Sequence, residues 1–123
     1  MPPTPWPSHF PCAITVTDEN GVVIEMNEQS RSTFAKWGGA ELIGRPLADC
    51  HNEKSRRLLE SMFAERRANH YTITKNGQRR IIHQLPWFHE PDASGERRFG
   101  GFVELGISIP HDMPHFDRDQ PVK

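Results

Sequence analysis

Short apolar runs, separated by clusters of turn residues, divide most of the chain into extended segments. β-Branched and aromatic side chains are concentrated in these runs, as is typical of strands. Asp18–Gly21 forms a turn between the first two runs, and Asn76-Gly77, a strong hairpin dipeptide, lies between the third and the fourth. The pattern predicts strands at 13–17, 22–26, 70–74, 79–89 and 98–109.

A helical stretch is predicted between the second and third strands. Asn27 is a suitable N-cap for a short helix, which Gly38-Gly39 ends. A longer helix over 53–67 is predicted from an apolar stripe at helical spacing, formed by Leu58, Leu59, Met62 and Phe63. Because tight turns join adjacent strands, the strands must run antiparallel. The element order therefore predicts an α+β fold, a five-stranded antiparallel sheet with helices on one face.

The two ends of the chain differ in composition from this ordered middle. Residues 1–11 hold five prolines, so we expect an N-terminal arm that forms neither a helix nor a central strand. Residues 110–123 carry three prolines and many charges, and we expect a loose polar tail. The predicted domain is therefore 12–109, flanked by an arm and a tail.

Composition excludes several classes of protein. The chain of 123 residues is long enough for one domain, and its net charge of −1 lacks the basic excess of a nucleic-acid-binding protein. Two cysteines cannot form a disulfide framework or a four-cysteine zinc site. No apolar run approaches the roughly 20 residues of a membrane span, and the first residues lack the features of a signal peptide. We therefore expect a cytoplasmic protein.

Three stretches of the sequence resemble the PAS family of sensory domains. ITVTDENGVVIEMNEQS resembles the opening PAS hairpin, ELIGRPLADCHNEKSRRLL the approach to the long PAS helix, and FHEPDASGERRFGGFVELGIS the last hairpin. The resemblance implies the strand order 2-1-5-4-3 and a role in signal transduction of the bacterial type. The sequence departs from the family at Ser108-Ile109-Pro110, where a D-I-T-like triplet often leads into a signalling helix. We therefore expect a free-standing sensor or partner-binding subunit.

The resemblance also raises the question of a cofactor. Flavin-binding PAS domains carry a G-x-N-C-R motif, but here Cys50 lies too far beyond Gly44 for that motif. Haem-binding members use a histidine on the long helix, whereas His51 precedes that helix. We therefore predict no cofactor, with haem bound through His51 kept as an alternative. The spacing of His83 and His89, and the prolines around His111, do not favour a metal site.

No known catalytic motif is present, and the neighbours Asp49, Cys50 and His51 do not form a triad by sequence proximity alone. We predict a protein that is not an enzyme. We expect it to hold a small ligand or a protein partner in the cup between sheet and helices. The alternative is a structural dimerisation module with a filled core.

Pocket candidates follow from the predicted last hairpin. Its loop is centred near residues 93 and 94, which places His83 opposite Glu104. The pair lies among apolar neighbours, on a face whose direction the sequence leaves open. The candidate pocket residues are His83, Glu104, Trp37, Cys50, His51 and Phe102.

Apolar side chains on both faces of the predicted sheet indicate that one face needs cover. We predict a homodimer through the sheet, assisted by the N-terminal arm, or contact with a separate signalling protein. The candidate interface residues are Trp6, Phe10, Ile82, Phe88 and Val103.

Overall fold

The computed structural model describes residues 5–50 and 52–120. Its strands are β1 (Ala13–Thr17), β2 (Val23–Met26), β3 (Asn69–Lys75), β4 (Gln78–Phe88) and β5 (Phe99–Ile109). Its α-helices are α1 (Glu28–Thr33) and α2 (Glu53–Glu65). Short 3-10 helices are found at Trp6–His9, Ala35–Trp37, Gly39–Leu42 and Leu47–Cys50.

The strands form one antiparallel sheet in the order β2-β1-β5-β4-β3. The predicted fold class, strand number and strand order are confirmed, and each predicted strand boundary lies close to the observed one. The first and last strands are therefore neighbours at the centre of the sheet, and β2 and β3 are its edges.

Asparagine side chains begin both α-helices, as predicted. The side-chain oxygen of Asn27 accepts a hydrogen bond from the backbone N–H of Ser30, and Asn52 accepts from Ser55 in the same way. These bonds satisfy N–H groups that have no partner within the helix. None of the helices in the described part of the chain is long and apolar enough to cross a membrane.

The N-terminal arm packs against the domain through Asn27. The Asn27 side-chain N–H group donates to the carbonyl oxygens of Pro7 and Cys12, each at 2.8 Å, while its oxygen also accepts from Ile14. The expectation that the arm forms no helix was wrong, because Trp6–His9 is a single 3-10 turn. Proline is tolerated in the first turn of a helix, where its missing N–H group is not needed.

A β-bulge on β5 determines the register of the last two strands. Phe88 pairs with Phe99, whereas Trp87 pairs with Gly101, so Gly100 is an extra residue on β5. A side chain at Gly100 would overlap the ring of Trp87, and one at Gly101 would overlap the carbonyl oxygen of Thr17. Gly101 also has a φ of +139°, which favours glycine. Both glycines are therefore required by the local geometry.

Candidate ligand-binding cavity

Alternation along the strands gives the sheet two faces of different character. The inner face packs against the helices, and the outer face points away from them. Inner-face positions are Ala13, Thr15, Asn69, Tyr71, Arg80, Ile82, Gln84, Phe102, Glu104 and Gly106. Outer-face positions are Ile14, Val16, His70, Ile81, His83, Leu85, Val103 and Leu105.

The predicted pairing of His83 with Glu104 was wrong by one residue. His83 lies opposite Leu105 on the outer face, and Gln84 lies opposite Glu104 on the inner face. The extra residue Gly100 is the reason, because the register inferred from the loop centre holds only as far as Phe88 and Phe99. A shift of one residue moves every side chain beyond it to the other face.

Polar side chains form one row across the inner face. Asn69 donates to Gln84 at 2.9 Å, and Gln84 donates to Glu104 at 3.4 Å. Thr15, the β1 neighbour of Glu104, shares a 2.5 Å hydroxyl–hydroxyl hydrogen bond with Ser30 on α1. This polar row therefore connects four strands with a helix. Buried polar groups are costly without partners, so a row of them is not expected in a core that serves only for packing.

A cavity of about 170 Å³ lies beside the polar row. Small residues make room for it, since Ala13 and Gly106 are neighbours on β1 and β5. A Cβ atom at Gly106 would contact Arg80, Ile82 and Ala13 within 4 Å. The cavity is lined by Ala13, Thr15, Thr33, Phe34, Tyr71, Ile73, Lys75, Arg80, Ile82, Glu104 and Gly106.

The cavity brings charges of both signs together. One terminal N–H group of Arg80 donates to the carbonyl oxygen of Gly106 at 3.3 Å. The Nε atom of Arg80 is buried and has no hydrogen-bond partner among the described residues. Lys75 adds a second cation to the lining, and Glu104 supplies a carboxylate. Burial raises the pKa of Tyr71 above its usual value, and the Glu104 carboxylate raises it further.

The predicted pocket residues are not all brought together. Glu104 lines the cavity. Phe102 is buried in the core, with its ring 4.7 Å from that of Phe63, and borders only a narrow void beside α2. Trp37 is 45% exposed and lies outside the cavity lining. His51 lies outside the described residues, and the side chain of Cys50 is likewise outside the described part of the chain.

Sequence reasoning missed Arg80 as a cavity residue. The sequence contains an indication of this role, because the charged Arg80 side chain stands at an inward position of β4, two residues before the apolar Ile82. That signal can be interpreted only when the register is known. With the register shifted by one residue, Arg80 appears on the face of Ile82 and Val103, which was predicted to form the dimer interface.

The candidate interface residues divide between the two faces. Val103 lies on the outer face, but Ile82 is 7% exposed on the inner face, so its assignment to an interface was wrong. The bulge again explains the error, because it places Ile82 and Val103 on opposite faces of the sheet, although both were predicted for one face. Phe88 is exposed at the end of β4. Trp6 and Phe10 are also exposed, and their rings meet edge to face at 5.3 Å.

A second and more open depression, of about 320 Å³, lies beside the arm and β2. Its lining includes Ser8, Ile24 and Ile43, with Glu25 as its one charged group among the lining residues described. It is larger than the cavity beside Arg80. It lacks the combination of a buried unpaired donor with a facing carboxylate, so we regard the inner cavity as the better candidate site.

A family model described as the PAS fold matches residues 8–98, which is well over half of the chain. The chain therefore belongs to the PAS family. It is a PAS sensory domain of the kind found in signalling proteins. A search of curated protein sequences gave no significant match.

Solved PAS structures have the same fold. The PAS domain of BvgS from Bordetella pertussis superposes with a TM-score of 0.61 at 18% identity, covering 85% of this chain and 82% of that chain. A sensory box histidine kinase from Vibrio cholerae superposes with a TM-score of 0.58 at 10% identity, covering 84% of this chain and 85% of that chain. The Aer2 receptor of Vibrio cholerae, a PAS–haem oxygen sensor, gives 0.54 at 12% identity, covering 80% and 95%.

Proposed function

We propose that this PAS domain detects a small polar molecule in the cavity beside Arg80, and that it acts by binding rather than by catalysis. The observation that carries the proposal is the buried, unpartnered Nε of Arg80 at a cavity that also contains a carboxylate. A buried donor without a partner costs about 1–3 kcal/mol. A ligand that supplies an acceptor recovers this energy when the Arg80 side chain rotates to present Nε to the cavity, and this gain favours binding there.

The size of the cavity limits the ligand. Sites for drug-sized molecules are roughly 300–1,000 Å³, and an apolar cavity of about 150 Å³ accepts benzene. A volume of about 170 Å³ suits a ligand only slightly larger than benzene. Haem and flavin are much larger, so we propose that the purified protein is colourless. An absorbance band of either cofactor in the purified protein would contradict this.

The charges in the lining define the ligand chemistry further. Arg80 and Lys75 favour an anionic group, while Glu104 favours a hydrogen-bond donor on the same molecule. Arginine recognises carboxylates through paired N–H groups. We propose a small carboxylate that also carries a hydroxyl or amino group.

Ligand identification is the first test. Mass spectrometry of a denatured extract should reveal a bound small molecule, and calorimetric titration with small hydroxy- and aminocarboxylates should find a member that binds. The Arg80→Gln variant should weaken binding about tenfold or more, which corresponds to about 1.4 kcal/mol. Arg79→Gln is the matched control, because Arg79 is adjacent on β4 but lies on the other face. Equal losses of ligand affinity in the Arg80→Gln and Arg79→Gln variants would contradict the proposal.

We further propose that the outer face of the sheet pairs with a second copy of the chain. Apolar side chains dominate this face, and Leu85 is more than one third exposed. A large exposed apolar patch is typical of a protein interface. The Leu105→Glu variant should be monomeric by light scattering at tens of micromolar, whereas the wild type should be dimeric. A monomeric wild type would overturn this proposal.

A further inference from the structure

Two histidines face each other on the outer face of the sheet, on the side away from the cavity. His70 on β3 and His83 on β4 are direct cross-strand partners, and their Nδ1 atoms are 2.8 Å apart. The ring centroids are 5.0 Å apart with an angle of 69° between the planes. Two imidazole nitrogens therefore converge on one point.

We propose that His70 and His83 form a binding site for a divalent transition-metal ion. Two nitrogens on one tetrahedral Zn²⁺, each at about 2.0–2.1 Å, lie about 3.4 Å apart. The two Nδ1 atoms are 2.8 Å apart and share a hydrogen bond. They need to separate by only about half an ångström for the ion to replace the proton between them. His70 is exposed and lies on the edge strand, so its ring can move by this amount.

The hairpin holds the two ligands in position before the ion arrives. β3 and β4 are paired from Asn69 with Gln84 to Lys75 with Gln78, without a break in register. Asn76 and Gly77, both with positive φ, close the hairpin in a tight turn. A rigid backbone reduces the entropy lost when the ligands become ordered around an ion. The site is therefore largely preorganised.

The donor set determines which ions are suitable. Imidazole suits Zn²⁺, Cu²⁺ and Ni²⁺, whereas Mg²⁺ and Ca²⁺ prefer oxygen ligands. No group of three or more His, Cys, Asp or Glu side chains gathers among residues 5–50 and 52–120. In the monomer the ion therefore keeps open positions, which water fills. Such a site binds Cu²⁺ most tightly, in keeping with the general order of stability for these metals.

The direct test follows the imidazole signals of the untagged wild-type chain by NMR during titration with Zn²⁺. The signals of His70 and His83 should change together, while those of His9 and His89 should not. Mg²⁺ at the same concentration should have no effect. Changes at other histidines with the His70 and His83 signals unaffected would overturn the proposal. This measurement needs no variant and therefore does not depend on the folding of one.

Calorimetric titration of variants gives the second readout. His70→Gln and His83→Gln should each weaken Cu²⁺ and Zn²⁺ binding about tenfold or more, or about 1.4 kcal/mol. His89→Gln is the matched control, because His89 follows β4 and its ring contacts Trp87 instead of another histidine. The site is ruled out if the three variants lose affinity equally, or if the first two bind as the wild type does.

Discussion

The two halves of the interior share one sheet face but are filled very differently. Beneath α2, Met62 and Phe102 are 1% and 3% exposed, and the voids between this helix and the sheet measure only about 10 and 40 Å³. Near α1, the small residues Ala13 and Gly106 leave a cavity of about 170 Å³. The same backbone framework thus gives a packed core on one side and room for a ligand on the other.

Side-chain chemistry changes along with side-chain size. In the packed half, the ring of Phe63 lies 4.7 Å from that of Phe102 and 6.1 Å from that of Phe99, separations at which aromatic pairs attract. The open half carries Arg80 and Glu104 instead. The comparison indicates that the packed half supplies the stability that an open, charged half lacks.

Truncating one side chain in each half should have the largest effect and should affect the two halves unequally. Met62→Ala should lower the free energy of unfolding by about 2–5 kcal/mol, because it leaves a hole in a closely packed core. Ile73→Ala should cost about 1 kcal/mol or less, since Ile73 lines the cavity and is more than one third exposed. Urea unfolding measures both. Equal costs would mean that the two halves are packed alike.

A smaller effect is expected at the bulge, on which the register of both halves depends. Gly101→Ala should cost about 1–3 kcal/mol, because φ is +139° and the new Cβ overlaps the carbonyl oxygen of Thr17. Gly95→Ala is the matched control, because Gly95 also has a positive φ but has open space around it. The steric explanation fails if thermal unfolding shows the same loss for both variants.

Filling the cavity should separate stability from binding. Gly106→Ala places a methyl group 3.1 Å from the end of the flexible Arg80 side chain, which can give way. The free energy of unfolding should change by less than about 1 kcal/mol, whereas affinity for the small carboxylate should fall. Chemical unfolding and calorimetric titration of the same sample measure the two quantities. A large loss of stability with binding intact would assign Gly106 to the packed core instead.

The smallest predicted effect is the response of the open half to alkaline pH. The pKa of Tyr71 is raised above 10.0, first by burial and then by the Glu104 carboxylate. Well below pH 10 the phenol is neutral in both the folded and the unfolded chain. As the pH rises from there toward the raised pKa, the unfolded chain ionises first, so stability falls.

Tyr71 is the one tyrosine of the chain, so Tyr71→Phe removes this contribution cleanly. The free energy of unfolding should fall more steeply above pH 10 in the wild type than in this variant. Parallel curves for the two proteins would show that the phenol of Tyr71 ionises equally in the folded and unfolded states.

Local patterns in the sequence predicted the strands and helices, and the family resemblance implied the strand order, whereas the site depended on a feature that neither carries. The N-caps Asn27 and Asn52 and the turn at Asn76-Gly77 act over a few residues, so their effects are visible in the sequence. At the bulge, Gly100 lies against the ring of Trp87 and Gly101 against the carbonyl oxygen of Thr17, contacts between strands that no local pattern shows.

The candidate residues depend on the register in the same way. Glu104, one of the pocket candidates, lies on the inner face and lines the cavity. The pairing of His83 with Glu104 and the grouping of Ile82 with Val103 were wrong, because the bulge shifts β5 by one residue relative to β4. Small residues such as Ala13 and Gly106 give no sequence signal for an empty space.

The central position of β1 and β5 has a consequence for synthesis of the chain. Ala13 pairs with Gly106, so nearly the whole domain is made before the middle of the sheet can close. On the ribosome, β1 with β2 and β3 with β4 can form only separate hairpins until β5 emerges. A fragment that ends where the family match ends, at residue 98, lacks this strand and leaves both hairpins without their shared neighbour.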